Sequence, residues 1–325
     1  MKTIYLTDTT RLEPGYMATI GFFDGVHCGH RFLIDTLRRQ ATERGLRSMV
    51  VTFDRHPRQV LHSDWQPNLL SSLGEKERLL GATGIDVLVV LHFTVDMAVL
   101  TAEQFMRQVL YNQLGVRCLL TGYDNRFGHN RNETFDDYQR YGRDMGLDVV
   151  CGEPLSVGDC RVSSSAVRQL LWEGRVADAC RCLGRPYELV GTVVHGEQIG
   201  RRLGYPTANL RLAERFQLVP RVGVYGVKVQ VGDDGRWWSG MTNVGLRPTF
   251  NGHEVRIETH LFDFTGDIYG RTIRVAFHFR VRDEQFFSAA DALQRQMGED
   301  EKRVREVWAS GCKCLTDDEG ECDGR

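Results

Sequence analysis

The hydrophobic pattern of this chain changes period at Leu183-Gly184-Arg185-Pro186-Tyr187, and that break constrains the fold more than any other feature. Before it, short apolar runs at 17–22, 48–53, 87–91, 116–121 and 147–151 alternate with segments of helical spacing. Phe32, Leu33, Leu37 and Ala41 recur on one helical face within 31–44, and helices are expected again at 75–82, 101–113 and 133–145. Thr101-x-x-Gln104 is a capping-box pattern, which marks a helix start. Strands without polar alternation are buried on both faces, as in a parallel sheet covered by helices on each side. Residues 1–183 therefore read as a doubly wound α/β domain.

After the break the pattern turns to short strands and Gly-rich turns. Strands are expected at 189–194, 222–231, 237–241, 257–262 and 273–279, with a hairpin at Val231-Gly232-Asp233-Asp234-Gly235-Arg236. So many short strands in roughly 100 residues predict a small antiparallel barrel or sandwich. Two helices, 288–297 and 300–309, are expected to close it. These elements make up a second domain, 184–310, and the polar, Gly/Asp-rich stretch 311–325 reads as a disordered tail.

Composition narrows the function classes. A chain of 325 residues has room for two cores, and 42% hydrophobic with 26% charged residues is ordinary for a globular protein. A net charge of -2 gives no field that would attract nucleic acid or an anionic membrane. No run approaches the roughly 18 apolar residues of a membrane span, and the first residues lack the apolar core of a secretion signal. A cytoplasmic location is expected. The nine cysteines are scattered, and Cys180/Cys182 and Cys312/Cys314 are C-x-C pairs rather than a C-x-x-C zinc pattern, so they read as free thiols. The sequence carries no signal for oligomeric state.

The richest segment is Gly21-Phe22-Phe23-Asp24-Gly25-Val26-His27-Cys28-Gly29-His30. A strand ends here and a helix begins, so backbone N–H groups at a positive helix end are presented as an anion site. Gly29 lets a phosphate come close to the backbone, and His27 and His30 are placed to donate to developing negative charge. Either histidine alone is more often structural, whereas H-x-G-H in this setting is specific. Further on, Ser163-Ser164-Ser165-Ala166-Val167-Arg168 opens a helix that Ser163 is suited to cap, which leaves Arg168 unexplained by capping.

These segments resemble the nucleotidyltransferase superfamily, in the version found in the adenylyltransferase half of bifunctional riboflavin kinase/FAD synthetases. Thr52-Phe53-Asp54-Arg55-His56-Pro57 is similar to the family's T-F-D-P-H-P, and Gly122-Tyr123-Asp124-Asn125-Arg126-Phe127-Gly128 to its G-x-[DN]-F-x-F-G. The serine motif and the Leu183–Tyr187 segment match as well. The resemblance implies a Rossmann-like first domain that binds ATP through Gly21, Phe22, Asp24, Gly25 and Gly29. It implies His27 and His30 as catalytic contacts to the phosphates and Asp124 near nucleotide or metal. Ser164 and Arg168 would lie on a loop closing over the phosphates, with Arg168 as the cation. Arg55 stands where the family has Pro, and Asn125 where it has an aromatic residue; both bear on the pocket rather than on phosphate handling.

The second half contains Gly200-Arg201-Arg202-Leu203-Gly204-Tyr205-Pro206-Thr207-Ala208-Asn209-Leu210, then Asn243-Val244-Gly245 and Glu258-Thr259-His260. It has neither a P-loop nor protein-kinase signatures. On an extended segment Thr207 and Asn209 point the same way and can face one Mg²⁺, and Glu258 is able to accept an alcohol proton. This half resembles riboflavin kinase, a small Greek-key β-barrel. The resemblance implies Thr207 and Asn209 at Mg-ATP (or the Mn²⁺ complex), Gly200 and Gly204 in a flap over the phosphates, and Glu258 as the base. The expected substrates are riboflavin, FMN and ATP, and the expected products FMN and FAD. Two alternatives stay open: a riboflavin kinase with an inactive first domain, and a flavin- or nucleotide-binding regulator without turnover.

Overall fold

In a computed structural model, which describes residues 1–61, 66–122, 126–129, 132–153, 156–157, 160–196, 198–249 and 252–311, the early apolar runs pair into one six-stranded sheet. Its strands are β1 (Lys2–Tyr5), β2 (Tyr16–Ile20), β3 (Arg47–Phe53), β4 (Val87–Leu91), β5 (Val116–Thr121) and β6 (Asp148–Cys151). Their order is β1-β4-β3-β2-β5-β6, with every pairing parallel. The main crossover helices are α1 (Cys28–Glu43), α3 (Leu73–Gly81), α5 (Ala102–Phe105), which continues as a π-helix over Met106–Gln113, and α6 (Phe135–Met145). Short helices α2 (Pro57–Leu61) and α4 (Val95–Ala98) lie in the connections. The capping box at Thr101 and Gln104 is present.

Alternation along the strands feeds two cores, which explains why they read as apolar throughout. Ala18, Met49, Val89 and Leu119 pack with Phe105, Met106, Leu110 and Tyr138 on one face. Met17, Val50, Leu88 and Leu120 pack with Ile34, Leu37, Ala41 and Leu80 on the other. Helices α1 and α3 thus cover one face, and α5 and α6 the opposite one. The chain builds from β2 to β3 and β4 on one side, then returns to place β5 and β6 on the other. That reversal is a topological switch point, and ligands of open α/β sheets collect beyond the carboxyl ends of the strands there.

A small hairpin, β7 (Ser156–Val157) and β8 (Cys160–Arg161), precedes α7 (Ser164–Trp172) and α8 (Val176–Leu183). The barrel consists of β9 (Tyr187–Val194), β10 (Ala208–Leu212), β11 (Gly223–Val231), β12 (Trp237–Thr249), β13 (Gly252–Leu261) and β14 (Thr272–Arg282). It closes in the order β10-β13-β12-β11-β14-β9, antiparallel throughout. The meander β11-β12-β13 with β10 returning beside β13 is a Greek key. Helix α9 (Ile199–Arg202) follows β9, and α10 (Ala290–Ala309) follows β14. The chain divides into two packing units, Met1–Ser163 and Ser164–Arg325, so the division lies ahead of the pattern change at Leu183. The reason is α8, which buries Val176, Ala179, Cys180 and Leu183 and packs on β9 and β14.

Three local expectations are corrected. One helix, α10, stands where two were expected at 288–297 and 300–309. Strands β12 and β13 run well beyond 237–241 and 257–262. The short strands β1 and β10 were not among the expected strands. Residues 312–325 of the expected tail lie outside the described residues.

Candidate active sites

The Gly21–His30 segment leaves β2 at the switch point and enters α1. Its backbone is unusual: Phe23, Gly25 and Val26 have φ of 52°, 74° and 38°. A β-branched residue in the left-handed region is strained by about 1–3 kcal/mol and persists only where its surroundings fix it. Here they do. Asp24 is buried, and its Oδ1 accepts from the N–H groups of Leu70 and Ser71 at 2.9 and 3.2 Å. Ser71 Oγ in turn accepts from Gly25 N–H at 3.1 Å. Phe23 and Val26 are buried beneath the turn. Asp24 and Gly25 therefore shape the turn that presents the helix end.

His27 is the N-cap of α1, and its Nδ1 accepts from His30 N–H at 3.2 Å. That bond puts the proton of a neutral His27 ring on Nε2, which makes Nε2 a donor. The His27 and His30 rings stack with centroids 3.6 Å apart. A Cβ on Gly29 would sit 3.2 Å from His27 Nδ1, so glycine leaves room for that ring. Burial, then the neighbouring His27 and Lys76, hold the His30 imidazole well below its usual pKa, so it is neutral at neutral pH. His30 Nδ1 is buried and has no hydrogen-bond partner among the described residues.

Neighbouring turns are tied to this one. Thr52 Oγ1 donates to the Phe22 carbonyl at 3.1 Å, and His56 meets the Phe22 ring edge-on at 4.8 Å. Arg55 lies 3.7 Å from Asp54, which also accepts from Phe93 N–H and pairs with His92. The loop after β5 starts at Gly122, and Phe127 stacks on Tyr138 at 4.6 Å. Asp124 and Asn125 lie outside the described residues. Ser164 and Arg168 belong to the second packing unit, on α7. One residue that the sequence reading passed over is Lys76 of α3, which donates to the carbonyls of Phe22 and Phe53. Its signal was its place between Leu73 and Leu80 on the apolar helix face.

In the barrel, register assembles the second constellation. Glu258 of β13 stands opposite Asn209 of β10 on one side and Asn243 of β12 on the other. Thr207 Oγ1 donates to Glu258 Oε2 at 3.4 Å, so the two oxygens proposed from sequence as metal ligands flank the proposed base. Ile257 and Thr259 point into the barrel core, which leaves Glu258 on the other face, 32% exposed. His260 Nδ1 lies 2.8 Å from the Pro206 carbonyl and locks the Pro-Thr-Ala-Asn segment to β13. Arg256, on the same face, reaches to 3.8 Å from Glu258. The preceding loop is tight: a Cβ on Gly200 would fall 2.3 Å from the Tyr205 carbonyl, and Gly204 has φ +87°. Hydroxyl, amide and carboxylate oxygens form a hard donor set suited to Mg²⁺, which usually keeps water and substrate phosphate among its ligands. Among the described residues there is no cluster of three or more His, Cys, Asp or Glu that would hold a metal by itself.

Comparison with known proteins covers both constellations. Residues 10–166 match the family model described as FAD synthetase, and residues 183–308 the one described as riboflavin kinase. A bifunctional riboflavin kinase/FMN adenylyltransferase of Escherichia coli (strain K12) is 39% identical over 91% of this chain and 94% of its own length. The protein of that description from Bacillus subtilis (strain 168) is 35% identical over 94% of this chain and 97% of its own. A crystal structure from Streptococcus pneumoniae, described as a macrolide-efflux protein, superposes with a TM-score of 0.85 at 32% identity, covering 93% of this chain and 98% of that one. Among the described residues of this chain, no helix is long and apolar enough to cross a membrane.

Proposed function

The chain belongs to the bifunctional riboflavin kinase/FMN adenylyltransferase family, and from that membership we propose that its two reactions run at the two constellations described above. It phosphorylates riboflavin with ATP to FMN, and it transfers AMP from ATP to FMN to give FAD and pyrophosphate. Residues 1–183 are assigned to adenylyl transfer and 184–310 to the kinase, although α7 and α8 pack with the barrel. ATP as co-substrate supports a cytoplasmic location.

At the kinase site the observation that carries the reading is the convergence of Thr207, Asn209 and Glu258 across β10 and β13. Glu258 takes the proton from the ribityl 5'-hydroxyl as its oxygen attacks the γ-phosphorus, and the bond to the β–γ bridging oxygen breaks to release ADP. Thr207 and Asn209 would hold Mg²⁺ (or Mn²⁺), which neutralises charge on the transferring phosphoryl group. Gly200 and Gly204 give the loop beside them the backbone freedom to close over phosphates.

At the turn after β2, the terminal phosphate of FMN is already an anionic nucleophile. It attacks the α-phosphorus of ATP directly, the α–β bridging bond breaks, and pyrophosphate leaves. No base and no adenylylated residue are needed. The protein's part is to offset repulsion between anions and to stabilise charge moving onto pyrophosphate. The N-terminus of α1 at Gly29, the Nε2–H of His27, and His30 suit that part. Gly21 and Phe22 line the approach, and Asp24 and Gly25 hold the turn.

Incubation with riboflavin, ATP and Mg²⁺, resolved by chromatography, tests the assignment in wild type and Glu258→Gln. Wild type should yield FMN and FAD. The variant should lose FMN formation by about 10²-fold or more, the scale of general-base catalysis, yet still convert added FMN to FAD. Loss of both activities in a folded variant would mean that the reactions share one site.

A further inference from the structure

The turn after β2 is held from its buried side by a charged group that no motif marks. Lys76 is only 3% exposed. Its Nζ donates to the Phe22 carbonyl at 3.1 Å and to the Phe53 carbonyl at 2.8 Å, and it lies 4.1 Å from the centre of the Phe22 ring. Phe22 belongs to the turn after β2, and Phe53 is the last residue of β3. Among the described residues, no carboxylate comes within ion-pair distance of Nζ. A buried ammonium without such a partner is expensive, and an apolar residue between Leu73 and Leu80 would pack with less penalty. Its retention calls for a reason other than stability.

We propose that Lys76 is a positioning residue for adenylyl transfer: its ammonium clamps the turn after β2 to the end of β3, so that His27, His30 and the α1 N-terminus face the nucleotide phosphates together. The inference rests on the placement of adenylyl transfer at that turn. The charged groups around Lys76 are Asp24 of the turn, Asp54 beyond β3, Glu77 of α3 and His30 of α1. Burial brings the lysine down to about 8, against the opposing pull of Asp24, Asp54 and Glu77. A neutral amine keeps the same carbonyls within reach but loses the charge-assisted character of both bonds, roughly halving their strength. The clamp is therefore firm below that pH and slack above it.

Stability moves the other way, which separates the two effects. In the unfolded chain the lysine keeps its proton up to its usual value near 10.5, whereas the folded chain releases it near 8. Between those values the unfolded chain binds the extra proton, so this group makes folding more favourable as pH rises. A falling rate in that window cannot come from a weakening fold at Lys76.

The test measures kcat/KM for FAD formation from FMN and ATP between about pH 6.5 and 9.5, a quantity that reports ionisations of the free enzyme. FMN formation from riboflavin is followed in parallel in wild type, Lys76→Met and His30→Ala. Wild-type adenylylation should fall about tenfold across the alkaline limb, the scale of losing charge assistance from two hydrogen bonds, while the kinase profile lacks that limb. Lys76→Met should be lower by a similar factor at neutral pH and flat through the limb. A flat wild-type adenylylation profile overturns the proposal, and so does a folded Lys76→Met enzyme with wild-type rates. If Lys76→Met does not fold, the wild-type profile alone decides. His30→Ala separates the premises: unchanged FAD formation there means the site is misplaced, whereas its loss beside a wild-type Lys76→Met means that only the clamp is wrong.

Discussion

Gly196 shows how closely a single position can control the kinase constellation. A Cβ there would lie 2.3 Å from Asn209 Nδ2 and 2.6 Å from its Cγ, too close for any real contact. Gly196→Ala should therefore push the amide away from Glu258 and lower riboflavin phosphorylation by about 10-fold or more, the scale expected when a positioned group moves by an ångström. FAD formation from added FMN should be unchanged, and paired assays of the two reactions check both statements. The sequence showed part of this arrangement. Thr207 and Asn209 were legible as a pair because they alternate on an extended segment. That Asn209 and Asn243 bracket Glu258 was not legible, because cross-strand register depends on pairings between residues far apart in the chain. The histidine turn was readable from its motif, whereas Lys76 showed only a place on the apolar face of its helix until its carbonyl partners were in place.

Helix α10 is continuous through Gly298, where a break was expected. Glycine inside a helix costs about 1 kcal/mol relative to alanine, so a break there was the natural reading. The reason for glycine is tertiary: a Cβ at 298 would approach Tyr205 Oη to 3.1 Å, and the short side leaves room for that ring. The helix is anchored by Asp300, 4% exposed, which accepts from Arg282 Nε at 2.9 and 3.0 Å and from Nη2 at 2.7 Å. Asp300→Ala leaves the Arg282 guanidinium with one partner fewer in a largely buried place. The expected loss is about 3 kcal/mol, the low end for breaking a buried pair because Arg282 keeps some solvent contact. Hydrogen exchange of the α10 and β14 amides should then lose about 10²-fold of protection, while the amides of β2 and β5 keep theirs.

The change of hydrophobic period distinguished a parallel α/β part from an antiparallel barrel. The packing seam was not legible, because an amphipathic helix such as α8 shows that it has an apolar face but not which sheet that face covers. A fragment of residues 164–311 should accordingly fold and phosphorylate riboflavin. A fragment beginning at 184 exposes the surfaces of β9 and β14 that α8 covers, and should be less soluble and melt at lower temperature, by about 4 °C for each kcal/mol lost in a domain of this size. Expression of both fragments, followed by thermal melts and riboflavin turnover, checks this. The seam also falls inside a motif: Ser163 closes one unit and Ser164 opens the next, within Ser163-Ser164-Ser165-Ala166-Val167-Arg168. A gene divided at the seam would separate Ser163 from the rest of its motif, and a gene divided at Leu183 would take α8 from the barrel. Either way one of the two separated halves begins with a handicap that the undivided chain does not carry.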